Sequence, residues 1–240
     1  METITVATWN SQGYKFGDGY VDNILGGYRP DVLCLQECGN LSNFFTDPET
    51  YMYRNDMYIG KRGNYSLVYY PWRGGCRCSM AVMVKDCHRL ESATLFEAIT
   101  GRDDATEPSE KTEADDGECE LRKGLRPIMR VRIGAGRSSV TVCNAHLPSG
   151  CPAFARKVGY AFLTGYKPRD FIMAGDMNTV PEDWNLPARL HVTEAGRTYP
   201  WDSPSRCYDY CITDIGRPRA AETYFPGTSD HLAAVYEFDI

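Results

Sequence analysis

The sequence lacks any apolar run approaching the roughly 18 residues that a membrane-spanning helix needs, which excludes a spanning segment. It has no Cys-x-x-Cys pair: Cys76 and Cys78 are one residue apart, and Cys34/Cys38 and Cys207/Cys211 are three apart. Only four histidines are present, scattered along the chain, so a structural zinc centre has little sequence support. No internal repeat and no EF-hand spacing of acidic residues is visible. A basic surplus is missing too, since the net charge is -6. Residues 102–120 carry nine acidic side chains against Arg102 and Lys111, so that stretch alone accounts for the deficit and the remainder is close to neutral. A neutral body with a few placed arginines can engage a phosphate backbone, but it argues against tight, charge-driven nonspecific binding.

What is present fits one large α/β domain over residues 1–240, with the acidic stretch at about 102–120 as a solvated loop insertion poor in large apolar residues. Met1 is followed at once by the strand-like Ile4–Thr8, which leaves no room for a basic region, an apolar region and a cleavage site. Ten cysteines nevertheless favour an oxidising compartment, so the expectation is a secreted protein whose leader is not part of this sequence. Cys34 and Cys143, inside apolar runs, read as buried hydrophobes.

Strands are expected near residues 3–9, 31–36, 65–70, 78–85, 127–133, 138–145, 170–175, 208–213 and 232–238. Helices are fewer, at 20–28, at 152–164 and briefly after Pro181. Several strands are apolar on both faces, which predicts a layered α/β sandwich, sheet packed on sheet with helices outside.

Six polar motifs ride on these apolar stretches in order: Trp9-Asn10, Leu35-Gln36-Glu37, Asn144-Ala145-His146, Gly175-Asp176-Met177-Asn178, Tyr208-Asp209-Tyr210 and Ser229-Asp230-His231. Glu37 closes a buried run, where a lone carboxylate suits magnesium, which takes one or two carboxylates with water and phosphate oxygens. Asn10 is placed to meet a phosphate oxygen or a metal-bound water. Alternation along an extended chain would put Asp176 and Asn178 on one side. His146 and His231 border apolar strands, and an imidazole can give or take a proton near neutrality. Asp209 is the candidate to orient His231, while Asp230, adjacent to it in sequence, would face the metal. Arg77 and Arg126 each open a strand and could grip phosphates bidentately. His88 and His191 have no such context and read as surface residues. Taken singly, each of these also fits a plainer role, as a strand-end glutamate, a turn asparagine, a rim histidine or a surface arginine.

Taken jointly, the six motifs resemble the endonuclease/exonuclease/phosphatase superfamily, the DNase I-like proteins, from residue 8 to 231. Within it they are most similar to the catalytic B subunits of cytolethal distending toxins and of typhoid toxin. That likeness rests on Trp9-Asn10-Ser11-Gln12-Gly13, Leu35-Gln36-Glu37-Cys38-Gly39, Arg77, and Leu125-Arg126-Pro127-Ile128 with Arg132-Ile133-Gly134. Cys38-Gly39 stands where other branches carry basic residues, and Thr179 and Tyr208-Asp209-Tyr210 depart from the inositol 5-phosphatase motifs.

The resemblance implies a four-layer sandwich of two mixed sheets flanked by helices. It implies Glu37 as main metal ligand with Asn10 and Asp230 nearby, and Mg2+ as cofactor, with Mn2+ or Ca2+ as substitutes. It further implies His231 with Asp209 as general base, Asp176 and Asn178 orienting the water and leaving oxygen, and His146 on the phosphate. Arg77 and Arg126 match phosphate-contacting arginines. The expected function is nicking of duplex DNA, by a secreted toxin subunit that travels with delivery subunits and acts in a host nucleus. A phosphoinositide phosphatase of the same fold is the second reading, and an inactive binding subunit the third.

Overall fold

β1 (Thr3–Asn10) and β2 (Val32–Gln36) pair in parallel, with α1 (Gly19–Gly27) between them in the chain. β9 (Ser138–His146) and β10 (Phe171–Asp176) repeat that arrangement with α2 (Pro152–Gly165). Parallel neighbours need a crossover, and in both cases a helix supplies it. The chain thus carries two β-α-β units, one at the heart of each sheet. This computed structural model describes residues 2–13, 19–45, 51–71, 78–96, 126–165, 169–227 and 229–240. The acidic stretch 102–120, Arg77, Cys76 and Cys119 lie outside the described residues.

All other pairings are antiparallel. Around β1–β2 an eight-stranded sheet runs in the order β13-β14-β1-β2-β6-β5-β4-β3. It includes β3 (Tyr51–Arg54), β4 (Met57–Arg62), β5 (Tyr65–Tyr70), β6 (Met80–Lys85), β13 (Ala220–Tyr224) and β14 (Ala233–Asp239). Around β9–β10 a six-stranded sheet runs β11-β12-β10-β9-β8-β7, with β7 (Arg89–Phe96), β8 (Ile128–Ala135), β11 (His191–Glu194) and β12 (Asp209–Thr213). All nine expected strands are present. β3, β4, β7, β11 and β13 were not foreseen, and the segment after Pro181 forms one 3-10 turn, Pro181–Asp183.

Alternation along the central strands fills three apolar layers. Ile4, Val6, Val32, Cys34, Val140, Val142, Ile172 and Ala174 point into the space between the sheets. The intervening Ala7, Trp9, Leu33 and Leu35 pack with Val21 and Ile24 of α1. Cys143, Ala145, Phe171 and Met173 pack with Ala155, Val158 and Phe162 of α2. Each fully buried aliphatic or aromatic side chain contributes about 1.5–3 kcal/mol, so these layers carry the stability. The result is the four-layer order helix, sheet, sheet, helix.

One sequence expectation changes here. Among the described residues Cys34, Cys38, Cys87, Cys143, Cys151, Cys207 and Cys211 are free thiols. Cys34 and Cys143 are wholly buried, as expected. His88 is not a surface residue: its side chain is only 8% exposed, and Nε2 lies 3.3 Å from Asp31 Oδ1. Among the described residues no helix is long and apolar enough to cross a membrane.

Candidate active site

The inward-facing parity that fills the core continues, at the carboxyl ends of the two parallel pairs, into polar residues. Val6 and Thr8 lead to Asn10, Cys34 and Gln36 to the Glu37 corner, Val142 and Asn144 to His146, and Ala174 to Asp176. Strand register places these ends level: Asn10 pairs with Gln36, and Asp176 pairs with both His146 and Asp209.

Hydrogen bonds between the sheets fix their relative position. Gln36 Nε2 donates to Asn144 Oδ1 at 2.7 Å and to Thr8 Oγ1 at 3.0 Å. Asn144 Nδ2 donates across the gap to the carbonyls of Leu35 and Ala81, both at 2.9 Å. A fully buried amide with three strong partners is costly to lose, and it pins the strand that ends at His146.

Asn10 Nδ2 then bridges the two carboxylates of the site, donating to Asp176 Oδ2 at 2.9 Å and to Glu37 Oε1 at 3.4 Å. Its amide oxygen accepts from the Gln12 N–H. His146 Nε2 faces the same two carboxylates, 3.7 Å from Glu37 Oε1 and 3.6 Å from Asp176 Oδ2. On the other flank His231 Nδ1 meets Asp209 Oδ2 at 2.7 Å, and its Nε2 points to Asp176 Oδ2 at 3.9 Å. Ser229 Oγ donates to the Asn10 carbonyl at 2.5 Å and accepts from the His231 N–H, while Trp9 Nε1 donates to the His231 carbonyl. The first and last motifs of the chain are thereby stitched together. Asp230, partly open to solvent, has Oδ1 3.4 Å from Ser229 Oγ.

Asp176 and Asn178 meet through the Asn178 backbone and not by strand alternation of their side chains. Asn178 takes a left-handed backbone (φ 50°), Asp176 Oδ1 accepts its N–H, and its Nδ2 donates to the Leu147 carbonyl at 2.8 Å. Arg126 Nη1 donates to that same carbonyl at 3.1 Å. Gln12 and Glu37 are left-handed as well (φ 50° and 49°), so three non-glycine residues at this corner hold a conformation costing about 1–2 kcal/mol each. Gly175 is required where it stands, because a Cβ there would lie 1.8 Å from the Ala145 carbonyl oxygen.

Burial governs the titration of the site. It raises Asp176 to about 6, against hydrogen bonds from Asn10 and the Asn178 N–H and the charge of His231. Burial raises Glu37 too, and Asp230 adds to that, while Asn10, Arg126 and His231 counter it. His146 is held neutral, well below its ordinary range, by burial and by the charges of Arg126 and His231. Burial pushes His231 the same way, but Asp209, Asp176 and Asp230 outweigh it and lift the ring to about 10.

Of the residues singled out in the sequence, the structure gathers Asn10, Glu37, His146, Asp176, Asp209, Asp230 and His231 in one cluster. Asn178 and Arg126 stand beside it on Leu147, and Arg77 lies outside the described residues. Two further residues, without a sequence motif, support the cluster. Thr198 Oγ1, buried, accepts from the N–H groups of Tyr208 and Asp209, and Tyr199 lays its ring 4.9 Å from that of His231. Neither has a sequence signal, since their loop carries no strand pattern.

No protein-family model and no curated protein matches the sequence. Solved structures do. The chain is similar to D. rerio TDP2 complexed with a single-strand DNA product, at a TM-score of 0.65 and 16% identity over 99% of both chains. It is similar to the Haemophilus ducreyi cytolethal distending toxin, at 0.57 and 16% over 97% of both. It is similar to the endonuclease/exonuclease/phosphatase from Bacteroides vulgatus, at 0.66 and 14% over 100% of both. At these identities the likeness is one of fold: the chain has the DNase I-like fold of the endonuclease/exonuclease/phosphatase proteins.

Proposed function

We propose that the protein is a divalent-metal-dependent phosphodiesterase that hydrolyses the DNA backbone and nicks duplex DNA. One observation carries the reading: two carboxylates, the half-buried Glu37 and the buried Asp176, face one asparagine amide and one histidine ring between them, with a second, carboxylate-paired histidine alongside.

The donor set fits a hard divalent cation. Both carboxyl groups turn oxygens to the same space, and burial, the largest influence on each, disfavours their charged forms, a cost that a cation would offset. Glu37 and Asp176, with Asp230 at the open edge, would hold Mg2+, and Mn2+ or Ca2+ suit the same oxygen donors. A bound ion of this kind neutralises charge on the phosphate and lowers the pKa of water.

The chain's own residues supply the rest. His231, fixed by Asp209, presents Nε2 to the reaction space and takes up the proton of the attacking water. His146, neutral, donates a hydrogen bond to a phosphate oxygen as negative charge builds on it. Arg126, whose charge acts on Glu37 and His146, supports the phosphate from the Leu147 side. Asn178 and Asn10 hold Asp176 in place. Secretion, delivery subunits and action in a host nucleus are supported by the toxin-branch motifs alone.

Supercoiled plasmid incubated with purified protein and Mg2+ should become open circles, and His231→Ala should lose about 100- to 10,000-fold of that rate while keeping its fold. Equal nicking by wild type and His231→Ala from identical purifications would overturn the assignment. Release of inorganic phosphate from a 3-phosphorylated phosphoinositide, without nicking, would move the substrate from DNA to lipid.

A further inference from the structure

We propose a second cation site, suited to Zn2+, formed by Asp31, Cys87 and His88. It lies at the other end of the eight-stranded sheet from Glu37: Asp31 immediately precedes β2, whose five residues span roughly 16 Å before Glu37. Cys87 and His88 follow Lys85, the last residue of the neighbouring β6.

One ligand atom from each of the three residues lies within 4.8 Å of the others. Asp31 Oδ2 is anchored by the Thr5 N–H at 2.9 Å, which leaves Oδ1 facing His88 Nε2 at 3.3 Å. That distance is the edge of a tetrahedron whose bonds are about 2.0 Å, the Zn–N and Zn–O length. The ring is only 8% exposed, so Nε2 is held facing the Asp31 carboxylate rather than bulk solvent. The backbone that carries the ligands is already set. Lys85 N–H donates to the Asp31 carbonyl, Asp86 N–H to Asn64, and His88 N–H back to Lys85.

Access and ligand chemistry agree with an exchangeable ion. Cys87 is exposed and borders an open groove of about 770 Å³ shared with Tyr51, Ile59, Lys61 and Asp86. Lys85 Nζ, 3.6 Å from Asp31 Oδ1, is the cation that now balances the carboxylate, and at 36% exposure it can swing aside. Lys61 is already paired with Asp86 at 2.8 Å. A thiolate, an imidazole and a carboxylate select Zn2+ over Mg2+, which asks for oxygen alone. Three protein ligands leave a fourth position open to water from the groove.

Co2+ titration of the full chain, kept reduced, tests the site spectroscopically. Expected are a thiolate-to-cobalt charge-transfer band and tetrahedral visible bands, both saturating at a single equivalent and displaced by Zn2+. Cys87→Ser should abolish the charge-transfer band without changing the circular dichroism or the Mg2+-dependent nicking. His88→Ala and Asp31→Asn should weaken Co2+ binding at least about tenfold. Glu37→Gln should keep the band, which separates this site from the one between the sheets. Absence of the band in wild type, or its persistence in Cys87→Ser, would overturn the proposal.

Discussion

His231 Nδ1 lies 2.7 Å from Asp209 Oδ2, although His231 leads into β14 of one sheet and Asp209 opens β12 of the other. The bond fixes which ring nitrogen is free and raises its proton affinity.

Replacing Asp209 by Asn keeps the shape and removes the charge. Asp209 is a positioning residue, so the variant should retain metal-dependent stabilisation while its rate falls by about 100-fold or more. A base must be neutral to act, so activity rises with pH through the His231 pKa. Losing the Asp209 charge lowers that pKa, and the rising limb of the pH–rate profile should move to lower pH as its plateau drops. Plasmid nicking measured across pH checks this; a profile left in place by Asp209→Asn would refute it.

Asp176 makes metal binding pH-dependent. Its carboxyl is raised from 3.8 to about 6, so in the metal-free protein its contribution to stability is fully present below about pH 4 and is lost as pH climbs through about 6. A cation reverses the penalty by favouring the ionised form. The gain in melting temperature on adding Mg2+ should therefore be larger near pH 7.5 than near pH 5. Asp176→Asn should flatten that difference and should also lower the His231 pKa, because Asp176 is among the charges that raise it. Scanning calorimetry and histidine NMR read the two effects separately.

The Gln36–Asn144 link should be a stability element with a catalytic echo. Asn144→Ala strands the buried Gln36 Nε2 contact and the carbonyls of Leu35 and Ala81, each worth about 1–3 kcal/mol when left unpaired. Urea unfolding should show a loss of at least about 3 kcal/mol. Residual folded protein should nick slowly, since His146 is two residues further along β9.

The fold was legible where strands are apolar on both faces, as in β2, β6 and β10, and illegible where they are not. β7 and β13 are half-exposed edge strands with charged residues, so no apolar run marks them. β3 and β4 join through Asn55-Asp56, both at positive φ, a two-residue hairpin turn whose Asn-Asp signal went unread among the tyrosines. The site was legible as motifs but not as bonds. Thr8, Gln36 and Asn144 are visible as polar residues in apolar strands, yet nothing in the sequence says that Gln36 meets a partner 108 positions away. The left-handed turn at Asn178 defeated simple alternation, because periodicity describes a strand only while the strand lasts.

The two halves of the site belong to different sheets. Asn10, Glu37, Asp230 and His231 sit on one, and His146, Asp176 and Asp209 on the other. The reaction centre therefore works as a vernier: slippage of one sheet over the other would separate Asn10 from Asp176, His146 from Glu37 and His231 from Asp209 at once, while leaving each half intact. Turnover reports the alignment of the sandwich more finely than any measure of its unfolding.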